Sequence, residues 1–178
     1  FEDCVIKSWD NFTIKILEKI NSIECSNTPY QSIDSGLFYK KILNKLRKNK
    51  NITFSKNVDN INTDNSIIFN SLTNLDLNNN NLWQHFSGVE IETSSNCFDE
   101  KIMNLMDFNC DQKKSVHFFY TLPYSKNRAL IESTWLSDMK DTFETNYEFQ
   151  IKDYIENNLN IQNYKVIYKE QGKIPVSY

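Results

Sequence analysis

Glycine is scarce: the chain has 3 in 178 residues. A dinucleotide-binding fingerprint, G-x-G-x-x-G, needs clustered glycines so that backbone can approach a pyrophosphate at a helix N-terminus. Gly36, Gly88 and Gly172 stand far apart. No such loop exists here, and the chain by itself is expected to bind a dinucleotide poorly or not at all. Histidine and cysteine are few as well, 2 and 4. Cys4, Cys25, Cys97 and Cys110 show no C-x-x-C spacing, and with His85 and His117 they form no zinc pattern. No metal is expected, and the cysteines read as reduced thiols. No run is apolar enough to span a bilayer, and no signal peptide is expected. Basic residues do not outnumber acidic ones (20 against 23, net −3), which argues against nucleic acid as a partner.

What the chain does have is aromatic and β-branched side chains. Hydrophobic residues make up 39% and aromatics 13%, enough for one globular domain with a real core. Alternation predicts strands over Cys4–Trp9 and Phe12–Ile16, followed by a loop from Asn21 to Ser32 around Pro29. Ser32 or Asp34 is placed to cap a helix running to about Lys48 on Leu37, Phe38, Ile42, Leu43 and Leu46. Short strands near Ile52–Ser55, Val58–Ile61 and Ser66–Phe69 suggest a meander. Beyond an Asn-rich stretch, Leu82–Thr93 reads as a long strand with Gly88 as a candidate bulge, and Ile102–Cys110 as another strand. Phe143–Asn158 reads as a helix and Tyr164–Lys169 as a strand, after which Gly172 is expected to turn the chain. This order predicts an α+β fold with a mainly antiparallel sheet and covering helices.

The centre of the chain is the stretch from Val116 to Ser137. Val116–Leu122 and Ala129–Leu136 read as paired strands joined through Pro123–Arg128. In the second strand Leu130, Glu132 and Thr134 share one face, and Ile131, Ser133 and Trp135 share the other. A carboxyl among apolar neighbours loses hydration, so its pKa rises and it keeps a proton near neutral pH. Glu132 is therefore a candidate general acid. The bland alternative is an edge charge that deters aggregation. Asp107 is a second carboxyl on an apolar strand, either a base or a hydrogen-bonded structural group. His85 and His117 could act as acid or base, or serve as structural histidines.

The run Leu122-Pro123-Tyr124-Ser125, with Arg128-Ala129-Leu130-Ile131-Glu132-Ser133-Thr134, resembles a signature of the flavin-dependent lycopene cyclases, L-P-x-S-x-x-R-x-L-[IV]-E-x-T. Plant members carry F-L-E-E-T at this place, and here Ser133 replaces the second acid. Gln84-His85-Phe86-Ser87-Gly88 with Glu90-Ile91-Glu92-Thr93 is similar to that family's Q-x-F-x-G-x-E-x-x-T segment. Glu170-Gln171-Gly172-Lys173-Ile174-Pro175 is similar to its E-x-G-x-[IL]-P segment, with Met106-Asp107-Phe108 also in order. Ile68-Phe69-Asn70-Ser71-Leu72 stands where the family has I-F-D-S-R, without the Asp and Arg.

The resemblance implies a substrate-binding sheet inserted into an FAD-binding domain of the p-hydroxybenzoate hydroxylase or glutathione reductase kind. On that analogy residues 1–33 are substrate-domain strands, 34–75 a partial FAD-domain segment of helix plus meander, and 76–178 the substrate-binding domain. It implies lycopene β-cyclase activity, an isomerase reaction: acid-initiated closure of the ends of an acyclic carotenoid to β-ionone rings, giving γ- or β-carotene. Reduced FAD would support that closure, kept reduced by NAD(P)H. Glu132 would be the acid and Asp107 the base. Phe118, Phe119, Tyr120, Thr134 and Trp135 would line the substrate pocket, and Arg128 would anchor the turn or contact flavin phosphate. The chain opens on Phe1 and stops just past Ile174-Pro175, so it is expected to be an internal piece, inactive alone, with the FAD fingerprint outside it. The substrate's insolubility implies a cytoplasmic protein held peripherally at a membrane surface. The rival readings are a flavin-dependent monooxygenase or prenyl reductase, and a non-catalytic carrier of apolar ligands.

Overall fold

The computed structural model describes residues 1–56, 64–69, 82–138 and 146–176. The chain divides into two compact units, Phe1–Val5 with Ile33–Asn79, and Ile6–Ser32 with Asn80–Tyr178. The smaller unit holds a short 3-10 turn, Glu2–Cys4, and helix α1, Ser35–Arg47. Asp34 caps α1, its side chain accepting from the Leu37 amide at 2.8 Å. An ion pair between Asp3 and Lys41 ties the turn to the helix. The strands predicted at Ile52–Ser55 and Ser66–Phe69 do not form: both stretches are irregular and exposed, Phe69 to 92%. Alternation there meets no neighbouring ladder to satisfy its amides and carbonyls. The strand predicted at Val58–Ile61, and Asn70 to Leu72 of the meander, lie outside the described residues.

The larger unit is mostly sheet. β1 (Val5–Trp9) and β4 (Tyr30–Ile33) form a two-stranded sheet. The main sheet has seven strands in the order β3-β2-β6-β7-β8-β5-β9. These are β2 (Asn11–Ile16), β3 (Lys19–Glu24), β5 (Leu82–Thr93), β6 (Ile102–Asp107), β7 (Val116–Ser125), β8 (Arg128–Asp138) and β9 (Tyr164–Val176). Every described pairing is antiparallel except β2 with β6. The expected loop from Asn21 to Ser32 therefore contains two strands. The expected turn at Gly172 is instead the middle of β9, and pairing runs unbroken through Gly88, the irregularity falling between Glu90 and Ile91. The β7–β8 connection shortens to Lys126 and Asn127.

Helix α2 (Tyr147–Asp153) continues as a π-turn over Tyr154–Asn158. Residues 139–145, the start of the predicted helix, are outside the described set. Asn146 caps α2, accepting from the Phe149 amide at 3.1 Å. Ile151, Tyr154 and Ile155, at helical spacing, pack on Val89, Ile91, Phe119, Ala129 and Ile131. Ile131 and Ile155 are both at 0% exposure, and each such burial contributes about 1.5–3 kcal/mol. The Tyr154 ring stacks on Phe119 with centroids 4.0 Å apart. Asn160 adopts φ 56°, the left-handed turn that lets the chain leave the helix. One face of the sheet is thus sealed by α2, and the opposite face carries the site. No described helix is long and apolar enough to cross a membrane.

Candidate functional site

Strand alternation decides which side chains meet. Across β7, β8, β5 and β9, Tyr120, Glu132, Gly88 and Glu170 lie in one register row. The neighbouring row on the same face holds Phe118, Thr134, Phe86 and Gly172. Each row has a glycine where a bulky neighbour needs room. A Cβ on Gly88 would stand 3.1 Å from Glu170 Cγ, 3.2 Å from Glu170 Oε1 and 3.3 Å from Glu132 Cβ. A Cβ on Gly172 would stand 2.3 Å from Cζ of Phe86. The pairing is reciprocal: Phe86 lies over the glycine of β9, and Glu170 reaches over the glycine of β5.

Glu132 is half-buried, and its pKa is pushed up to about 7. Burial is the main cause. Thr134 Oγ1 donates to Glu132 Oε1 at 2.7 Å and opposes the rise, whereas the charge of Glu170 and a hydrogen bond with it reinforce it. Beside it, burial first, then Tyr30 and Glu132, push the Tyr120 phenol up to about 12, so it stays neutral. Phe118, 4% exposed, meets Tyr120 edge-on at 5.2 Å between centroids. The face therefore presents a carboxyl that holds its proton near neutral pH beside two aromatic rings.

Arg128 does not clamp this carboxyl. Its Nε donates to Glu90, and its guanidinium lies 5.7 Å over the Tyr124 ring.

The other expected site residues lie elsewhere. Trp135 is on the helix-covered face at 0% exposure, its Nε1 donating to Gln150 at 3.2 Å and its ring stacked 3.9 Å from His117. Phe119 shares that face, under Tyr154. Asp107 is also there: Tyr154 donates its hydroxyl to it at 2.8 Å, the Asn109 amide donates at 3.0 Å, and Lys15 pairs with it at 3.5 Å. The sheet thus separates Asp107 and Trp135 from Glu132, because pairing places them with residues of opposite parity.

Both histidines are built into the helix side. His117 donates from Nδ1 to the Asp111 carbonyl at 2.9 Å, leaving Nε2 to accept from Ser133, also at 2.9 Å. Burial is the main cause that lowers its pKa to about 4. His85 meets Tyr147 and, at 2.9 Å, Ser137, and burial followed by Lys173 lowers its pKa.

Local sequence pattern does not single out Glu170. Its signal was present in the E-x-G segment, but taking Gly172 as a turn removes Glu170 from a strand and hides its register with Gly88. The flavin that the resemblance implies has no cradle among the described residues. Gly88 and Gly172 are filled by neighbouring side chains, and Arg128 is engaged by Glu90.

Residues 66–178 match the family described as Lycopene cyclase protein. Comparison with curated proteins gives no match.

Proposed function

The chain belongs to the lycopene cyclase family, and from that premise we propose that Glu132 is the proton donor of a carotenoid cyclase acting on the open ends of lycopene. The reaction makes three demands: a proton held at neutral pH, a dry surface, and π density near the cation that forms. Glu132, raised to about 7 by burial, supplies the first. Phe118 and Tyr120 supply the other two on the same face. The proton adds to the terminal double bond, and the next double bond attacks the tertiary cation and closes the ring. The ring cation then sheds a proton to the carboxylate left behind. One proton enters and one leaves, so product and substrate are isomers.

The observation that carries this reading is the position of Glu132: half-buried, hydrogen-bonded to Thr134, and away from the Arg128 guanidinium. A β-ionone ring is the product proposed. FAD, kept reduced by NAD(P)H, and a peripheral seat on the membrane that dissolves the polyene belong to the same proposal. The test is Glu132→Gln in the full-length protein given lycopene. Loss of ring formation by about 10²–10⁴-fold, the usual worth of a general acid, is expected with folding retained. Ring formation at the wild-type rate would remove Glu132 from the role.

A further inference from the structure

We propose that Glu170 is a positioning residue that holds the Glu132 proton in place, the two side chains flanking the bare backbone of Gly88. This rests on the reading of Glu132 as the acid. Three geometric facts carry it. Glu132 and Glu170 flank Gly88 in one register row of β8, β5 and β9. The space that a side chain at position 88 would fill is already bounded by Glu170 Cγ and Oε1 and by Glu132 Cβ, all within 3.1–3.3 Å of where a Cβ would stand. The Phe86–Gly172 contact fixes β9 in the register that points Glu170 to this face, since a one-residue slip would turn it to the other.

After burial, the charge of Glu170 and a hydrogen bond with it are causes that raise the Glu132 pKa, because a second negative charge beside the first is disfavoured. The groups facing the pair do not relieve that repulsion. Tyr120 and Tyr124 of β7 are phenols raised by burial. Glu90 of β5 is engaged by Arg128 of β8 on this face, whereas Lys169, next to Glu170 on β9, lies on the helix-covered face and pairs there with Glu148 of α2 at 3.1 Å. Tyr147 of α2 also feels the Glu132 charge, and its phenol is raised, chiefly by burial.

The pair also closes the proton balance. A C–H bond forms at the chain end as Glu132 gives up its proton, the C–C bond closes the ring, and a ring C–H bond breaks. The Glu132 carboxylate left beside Glu170 takes up the proton released, and the starting state returns. Asp107, held by Tyr154 and Lys15 on the opposite face, is not needed.

The experiment uses the full-length protein with Glu170→Gln, Glu170→Asp and Gly88→Ala. Protonated carboxyl is followed by infrared difference spectroscopy against pH, with the Glu132→Gln variant identifying the Glu132 band. Ring formation from lycopene is measured over the same range. In Glu170→Gln the Glu132 band should titrate at least one pH unit lower. Its rate should fall about tenfold at pH 7 to 8 and recover near pH 5, since one unit is tenfold. Glu170→Asp should restore part of the effect, and Gly88→Ala should act like Glu170→Gln. An unshifted band, or a rate loss equal at every pH, would overturn the pairing. A shifted band together with ring formation by Glu132→Gln would uphold the pairing and remove Glu132 as the acid.

Discussion

Glu132 on β8 and Glu170 on β9 belong to strands that are not neighbours, yet their side chains meet over Gly88 on the strand between them. That contact needs a residue without a side chain at one position and uninterrupted pairing on both sides. It puts a proton-bearing carboxyl on the sheet face that α2 leaves uncovered, and four consequences can be measured.

Glu132 should make stability fall as pH rises. Its folded pKa of about 7 lies above its ordinary 4.5, so the native state keeps a proton that the unfolded chain releases. The stabilisation is complete below pH 4.5 and is lost as pH rises through 7. Glu132→Gln should therefore melt higher than wild type at pH 8.5, by an amount on the order of 2 kcal/mol. At pH 4.5 the two should nearly coincide. Thermal unfolding at the two pH values checks this.

His117 should act in the opposite direction. Its folded pKa of about 4 lies below its ordinary 6.5. The unfolded chain takes up a proton first, so stability present above pH 6.5 is lost as pH falls towards 4. The urea midpoint of wild type relative to His117→Gln should decline from pH 7.5 through 6 to 4.5, because the comparison cancels the opposite contribution of Glu132 and leaves that of the titrating ring.

Gly172→Ala should cost about 1–3 kcal/mol, since the new methyl would strike the Phe86 ring. Phe86→Leu in the same chain should recover part of the loss. That non-additivity separates steric contact from a general effect on β9. Denaturant titration of the four proteins in the cycle measures it.

Asp107→Asn should lower stability by about 1–3 kcal/mol, as hydrogen bonds from Tyr154 and the Asn109 amide and the Lys15 pair are disturbed. Ring formation per folded molecule should stay within a few-fold of wild type, with an unmoved pH profile. Product assays on the soluble fraction, with melting curves alongside, separate the two effects.

The hairpin and the face of Glu132 were legible because β7 and β8 alternate over long runs, and alternation assigns faces before any contact is known. The same rule already set Trp135 opposite Glu132. Its place in the expected pocket came from nearness in sequence, and the helix-side contacts of Trp135 show where it packs. β3 was hidden for two reasons. Its turn from β2 is Leu17-Glu18, with Leu17 at φ 54°, and it carries none of the Gly, Asn or Asp signals of a tight hairpin. It is also an edge strand exposed along its whole length, so no apolar alternation marks it. Gly172 misled in another way. Glycine more often breaks a strand than lies inside one, and here it stays because Phe86 occupies the space of its missing side chain. Which two carboxyls meet depends on strand order, and local pattern does not encode that β5 lies between β8 and β9.

The most direct measurement is ring formation from lycopene by the full-length protein in D₂O, with the product weighed by mass spectrometry. Carboxyl protons exchange with solvent between turnovers, so a donor at Glu132 should leave a single deuterium in each ring formed and no other change in mass. Glu132→Gln should form ring at least about 10²-fold more slowly. A ring without deuterium, or a product differing by two hydrogens or by an oxygen, would contradict a cyclisation begun by a proton from this carboxyl.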